Sequence, residues 1–105
     1  MKLLPGHFRK TVTAAGTQEP LSATAVLATD LIIQALSGNT GVVYVGSSTV
    51  SSSDCMAELS AGGVVTFSSL AAVSGGHINL ADIYIDVETS GEGVNIGYFT
   101  EGRGM

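Results

Sequence analysis

Over Asp82–Glu88 of the stretch HINLADIYIDVETSGEGVNIGYF, side chains change character at every step, and this constrains the fold more than any other feature. Ile83, Ile85 and Val87 share one parity, while Asp82, Tyr84, Asp86 and Glu88 share the other. A strand sends successive side chains to opposite faces, so this pattern gives one apolar face and one polar face. A helix would bring residues three and four apart together and mix the two sets. The polar, glycine-rich TSGEG (Thr89–Gly93) then turns the chain, and VNIGYF returns with Val94, Ile96 and Tyr98 on the core side. The carboxylates of Asp82, Asp86 and Glu88 are assigned to the solvated face.

The same grammar recurs upstream. In His7–Ala14, Phe8, Lys10, Val12 and Ala14 alternate with His7, Arg9, Thr11 and Thr13, as in an edge or half-exposed strand. AGTQEP is a loop punctuated by Gly16 and Pro20. Leu21–Leu36 is alanine-rich, and a helix over residues 22–36 competes with a strand from Thr29 to Leu36 preceded by an extended segment or shorter strand. The β-branched residues and the alternation of Leu31, Ile33 and Ala35 with Ile32, Gln34 and Leu36 favour the strand. SGNTG (Ser37–Gly41) reads as a hairpin loop, with Asn39, Gly38 and Gly41 suited to left-handed backbone, and VVYVG as the partner strand. Gln34–Gly46 is thus predicted as a β-hairpin. Ser47–Gly63 is a long polar loop; Asp54 is suited to cap one helical turn through Glu58, stopped by Gly62, and the sequence leaves loop and turn both open. VVTFSSL is a strand with Val65 and Phe67 on one face, AAVSGG a turn, and residues 100–105 a mobile tail. About six or seven short strands, with a turn signal about every 8–12 residues, predict an all-β fold, a small antiparallel β-sandwich or a barrel.

A chain of 105 residues is one domain by size. Its composition is unusual, because charged residues make up 12% of the chain against about 25% in ordinary soluble domains. Hydroxyls, glycine and apolar groups must cover the rest, which points to a surface partly used in contact with other copies or a scaffold. The net charge is −5, and the only lysines and arginines are Lys2, Arg9, Lys10 and Arg103, too few to track phosphates. No nucleic acid is expected as a partner. Three of the four basic residues fall in residues 1–10, read as an N-terminal arm, while Asp82, Asp86, Glu88, Glu92 and Glu101 gather toward the other end. A basic arm meeting an acidic patch on a neighbour favours ordered assembly. Cys55 is the lone cysteine, consistent with assembly in a reducing cytoplasm. MKLLPGHFRK lacks the apolar run of a signal peptide, and no later segment has the length and apolarity of a membrane span.

Chemistry is sparse. His7 and His77 are the only imidazoles, and each follows a glycine outside any catalytic motif, so no enzyme is expected. Carboxylates two apart on a strand sit about 6.5–7 Å apart at Cα and do not converge on one ion without loop ligands. No calcium-loop spacing or phosphate cradle is present in the sequence, so neither metal nor cofactor is expected. Tyr44 and Tyr84 are read as outward-facing, suited to protein contact or to stacking on sugars.

Taken together, Gln34–Gly46 (QALSGNTGVVYVG), Leu59–Gly62, Asn79–Asp86 (NLADIYID) and Gly91–Val94 resemble a pattern found in small virion-associated proteins of tailed bacteriophages. The likeness spans residues 12–99; SSSDCMAE (residues 51–58) and the MKLLPGHFRK arm depart from it. The resemblance implies a jelly-roll-like sandwich that acts as a capsid cement or decoration protein. Such a protein would be assembled in the host cytoplasm, would reside on the capsid surface, and would bind the major capsid protein and its own copies. Lys2, Phe8, Arg9, Lys10, Tyr44 and Tyr84 are the candidate interface residues. A tail, neck or baseplate component, or a glycan-binding attachment module using Tyr44 or Tyr84, are the alternatives.

Overall fold

A computed structural model describes residues 2–68 and 76–101. Ten strands follow one another among these residues: β1 (Leu3–Thr11), β2 (Glu19–Pro20), β3 (Leu27–Ala28), β4 (Asp30–Ala35), β5 (Val43–Gly46), β6 (Ala57–Leu59), β7 (Val64–Ser68), β8 (Ile78–Asn79), β9 (Tyr84–Val87) and β10 (Gly93–Glu101). A 3-10 turn at Leu80–Asp82 joins β8 to β9, with the Asn79 side chain accepting from the Ala81 N–H. The fold is all-β and every ladder between the named strands is antiparallel.

The pairing follows one rule. The first strand pairs with the last, the second with the second-to-last, and so on inward: β1 with β10, β2 with β9, β3 with β8, β4 with β7, β5 with β6. The chain is thus one long folded-back ribbon. Two further ladders, β10 with β4 and β9 with β5, roll that ribbon into two four-stranded sheets, β1-β10-β4-β7 and β2-β9-β5-β6. This is the jelly-roll arrangement of a β-sandwich.

Strand parity sets the core. On the inner side of the first sheet, Phe8, Ile96, Ile33 and Val65 line up in one row, and Gly6, Tyr98, Leu31 and Phe67 in the next. They meet Val43, Val45, Ile85 and Val87 of the second sheet, with Val12, Leu21, Leu80 and Val94 closing the ends. Leu31, Ile33, Val43, Val45, Ile85 and Val94 are fully buried. Tyr98 lies over Gly6, where any side chain would collide with the ring, and meets Phe8 edge-on at 6.1 Å. The inward placement of Val94, Ile96, Tyr98, Val65 and Phe67, and the strand in place of a helix at Asp30–Ala35, agree with the sequence.

Several expectations are overturned. Gln34–Gly46 is not a hairpin: β4 and β5 lie in different sheets, and the connection between them arches across the edge of the sandwich. The chain from β9 through TSGEG to β10 is a second arch of the same kind. Hairpin loops bring strand edges together, whereas these loops bring strand faces together, because the apolar sides of both flanking strands must close on one core. Nor do Asn39, Gly38 and Gly41 adopt left-handed backbone; positive φ is confined to Gly16, Gly62 and Gly91 among the described residues. No helical turn follows Asp54. Ser51 and Asp54 close a tight turn, and Met56 N–H donates to Val45 C=O at 2.6 Å, drawing Ala57–Leu59 into the sheet as β6. The count of ten strands exceeds six or seven because two-residue strands carry no periodicity to detect.

The arm expected over residues 1–10 does not hold for Leu3–Lys10. Leu3–Lys10 instead belong to β1, paired with β10 along its whole length. Thr100 and Glu101, assigned to a mobile tail, belong to β10 opposite Leu4 and Leu3. Residues 69–75 and 102–105, which carry the end of the expected VVTFSSL strand, most of the expected AAVSGG turn and the rest of the expected tail, lie outside the described residues.

Candidate functional site

The two arches are locked together at one end of the sandwich. The Glu92 carboxylate in TSGEG accepts from the N–H of Thr40 at 2.7 Å, the Thr40 hydroxyl at 3.0 Å and the N–H of Gly41 at 3.0 Å. Asn39 Nδ2 donates to the Gly93 carbonyl at 2.9 Å, and the Glu88 carboxylate accepts from Val42 N–H at 3.1 Å. The NTG motif is thus a receptor for the acidic arch. Gly41 is required by space, since a Cβ there would lie 2.8 Å from Thr89 Oγ1 and 2.9 Å from Glu88 Cβ.

These bonds leave a titration signature. The N–H groups of Thr40 and Gly41 hold the Glu92 carboxyl below its ordinary value of 4.5. A carboxyl whose folded pKa is depressed contributes stability above its unfolded pKa and loses it as pH falls through the folded one. Glu19 is lowered in the same direction, first by its hydrogen bond from Lys10 and then by Thr13 N–H. Denaturant melts from about pH 5 down to about pH 3 should therefore show stability falling with acid, and Glu92→Gln should flatten that limb. An unchanged acid slope in the variant would remove Glu92 from the lock.

The outer faces of the two sheets differ in chemistry. The outer side of β2-β9-β5-β6 is acidic: Tyr44 stands between Glu58 and Asp86 in register, with Glu88 near. Burial, then the charges of Glu88, Glu58 and Asp86, push the Tyr44 hydroxyl upward. The Ala14–Thr17 turn folds over this face, so Asp86 is only 4% exposed and not solvated as the alternation suggested. Asp86 Oδ1 accepts from Gly16 N–H at 2.9 Å and Val87 N–H at 2.8 Å. A carboxylate satisfied by backbone donors tolerates such burial.

The outer side of β1-β10-β4-β7 is apolar and basic. Its rows run Pro5, Phe99, Asp30, Ser68; then His7, Gly97, Ile32, Thr66; then Arg9, Asn95, Gln34, Val64. Leu3, Ile32, Val64 and Phe99 are exposed here, Val64 at 53%. A shallow hollow of about 340 Å³ opens among Leu3, Ile32, Phe99, Thr66 and Ser68. Asp30 borders it with its carboxylate engaged by the hydroxyls of Ser68 and Thr29, at 2.9 and 3.0 Å. Exposed apolar side chains gathered on one sheet face, rimmed by polar groups, are the marks of a contact surface.

The six candidate interface residues do not share one surface. Lys2 and Arg9 are exposed on the β1 side, Arg9 donating through Nε to Asn95 Oδ1 at 3.3 Å. Lys10 points inward and pairs with Glu19 at 2.7 Å. Phe8 is half-buried and packs against the core. Tyr44 does stand on the outer side of its sheet but is covered there, at 7% exposed, and Tyr84 is half-buried in the same sheet, β2-β9-β5-β6, away from β1. Ile32, Val64, Phe99 and Leu3 were not singled out. Their signal is an apolar residue on the solvent parity of a strand, as in Leu31-Ile32-Ile33, where one of three must face out.

No known protein family, curated protein or solved structure matches the chain.

Proposed function

We propose that this chain is a non-enzymatic structural protein of a tailed-phage virion, which binds the assembled major capsid lattice as a cement or decoration protein. The observation that carries the reading is the exposed apolar outer face of β1-β10-β4-β7 on a chain only 12% charged. The motif resemblance of Gln34–Gly46 and Asn79–Asp86 supports the same assignment. The hydrogen bonds between the arches hold the jelly roll in one arrangement, so docking one sheet face costs less conformational entropy than ordering a loose segment. Many copies on a lattice, associating with one another, multiply weak contacts through effective concentration. The glycan-binding reading finds less support, because Tyr44 is 7% exposed and offers little ring for stacking.

The test is the amount of this chain in purified particles of the phage encoding it, by quantitative mass spectrometry against the major capsid protein. A number within a few-fold of the capsid protein is expected. A tail-like number would move the protein to the tail or neck, and absence from the particle would end the virion reading.

A further inference from the structure

The four edge strands of the two sheets are β1, β7, β2 and β6, of nine, five, two and three residues respectively. Long open edges invite strand addition, and β1 is by far the longest. The direction of its backbone groups follows from its end. Val12 N–H donates to Glu92 C=O at 3.0 Å and Val12 C=O accepts from Gly91 at 2.8 Å, while the register runs unbroken from Thr11 opposite Gly93 to Leu3 opposite Glu101. Bonding alternates along an antiparallel ladder, so the even residues of β1 face β10 and the odd ones face away. The next ladder agrees. Leu36 donates to Gly93 and Thr29 to Phe99, using the odd residues of β10 that β1 leaves free. Among the described residues, the open edge therefore presents the N–H groups of Leu3, His7, Arg9 and Thr11, with the C=O groups of these residues and of Pro5. Pro5, which has no N–H, falls on the open side, where a ladder tolerates it.

We propose that this edge is the docking strand for an extended acidic segment of a partner protein, which adds to the sheet beside β1. The charge distribution selects the partner. The described lysines and arginines are Lys2, Arg9 and Lys10, all on or next to β1 in a chain of net charge −5. Lys10 is occupied by Glu19, whereas Lys2 and Arg9 are exposed. An added strand with Asp or Glu at alternate positions would set its carboxylates beside Arg9 and His7 on the outer face. A second copy fits this edge poorly. Two β1 strands centred on His7 place Pro5 opposite Arg9 and lose a bond on each side. The register centred on Arg9 sets the two guanidinium groups directly opposite each other. Like charges directly opposite are unfavourable. The inference goes beyond the capsid reading, since any protein carrying such a segment satisfies it.

The probe is a displayed library of random nonapeptides selected on the intact, isolated chain. Enrichment of peptides alternating Asp or Glu with β-branched residues is expected. Bound peptide should slow amide exchange at His7, Arg9 and Thr11, leaving Phe8 and Lys10, already bonded to β10, unchanged. His7→Pro removes an outward N–H and no internal ladder bond, so it should keep the melting temperature and weaken binding by about tenfold or more. Arg9→Glu should shift selection toward lysine-bearing peptides. Failure to enrich alternating acidic peptides, protection at another edge, or binding indifferent to both substitutions would overturn the proposal.

Discussion

Gly93→Ala is expected to be strongly damaging, lowering stability by about 3 kcal/mol or more. Gly93 opens β10 opposite Thr11, and its carbonyl accepts from both Leu36 N–H and the Asn39 side chain. A Cβ there would run into the Lys10 carbonyl oxygen and lie 2.7 Å from Thr11 Cα. Both obstacles are backbone held in the β1 ladder, so neither can rotate away as a side chain would. The φ of Gly93 is not positive, so the requirement is space and not conformation. Two other glycines separate these causes. Gly91→Ala, at φ +86 with nothing within 4 Å, should cost about 1–2 kcal/mol from backbone strain. Gly38→Ala, with open space and no positive φ, should stay within about 0.5 kcal/mol. Urea denaturation of the three variants measures the order. Equal effects at Gly93 and Gly38 would contradict the close approach of β1 to β10.

Ile33→Ala should cost about 3 kcal/mol, within the range of about 2–5 for an emptied core site. Ile33 is fully buried between Ile96 and Val65 in the inner row, facing the second sheet. Its neighbour Ile32 is 42% exposed on the other face of the same strand. Ile32→Ser should therefore change stability by no more than about 0.5 kcal/mol. On the capsid reading, it should instead reduce the amount of protein retained on purified particles. Chemical denaturation and particle sedimentation read the two effects separately. A large stability loss in Ile32→Ser, or full retention on particles, would remove the apolar face from the docking argument.

The inward rows were legible because they depend only on strand parity. Leu31, Ile33, Val65, Phe67, Val94 and Ile96 face the core as their alternation requires. The outer apolar patch was half-legible. The alternation sets Ile32 on the face opposite Leu31 and Ile33, but its meeting with Phe99, Val64 and Leu3 needs the order β1-β10-β4-β7. Asp86 shows the limit of parity. Alternation correctly sent it to the outer side of β9, yet the Ala14–Thr17 turn, distant in sequence, covers it and supplies the Gly16 N–H that satisfies it.

By itself, the sequence favoured an all-β chain, located most of β4, β7, β9 and β10, and told which side of each is apolar. These are local properties of a backbone whose side chains alternate with period two. The tertiary structure decided which strands pair. NTG and TSGEG carry turn chemistry that suits a hairpin and an arch equally, since both need a polar, glycine-bearing reversal. The arch prevails because two apolar faces must close on one core, and the bonds from Thr40 and Gly41 to Glu92 form only once both loops reach the same end of the roll.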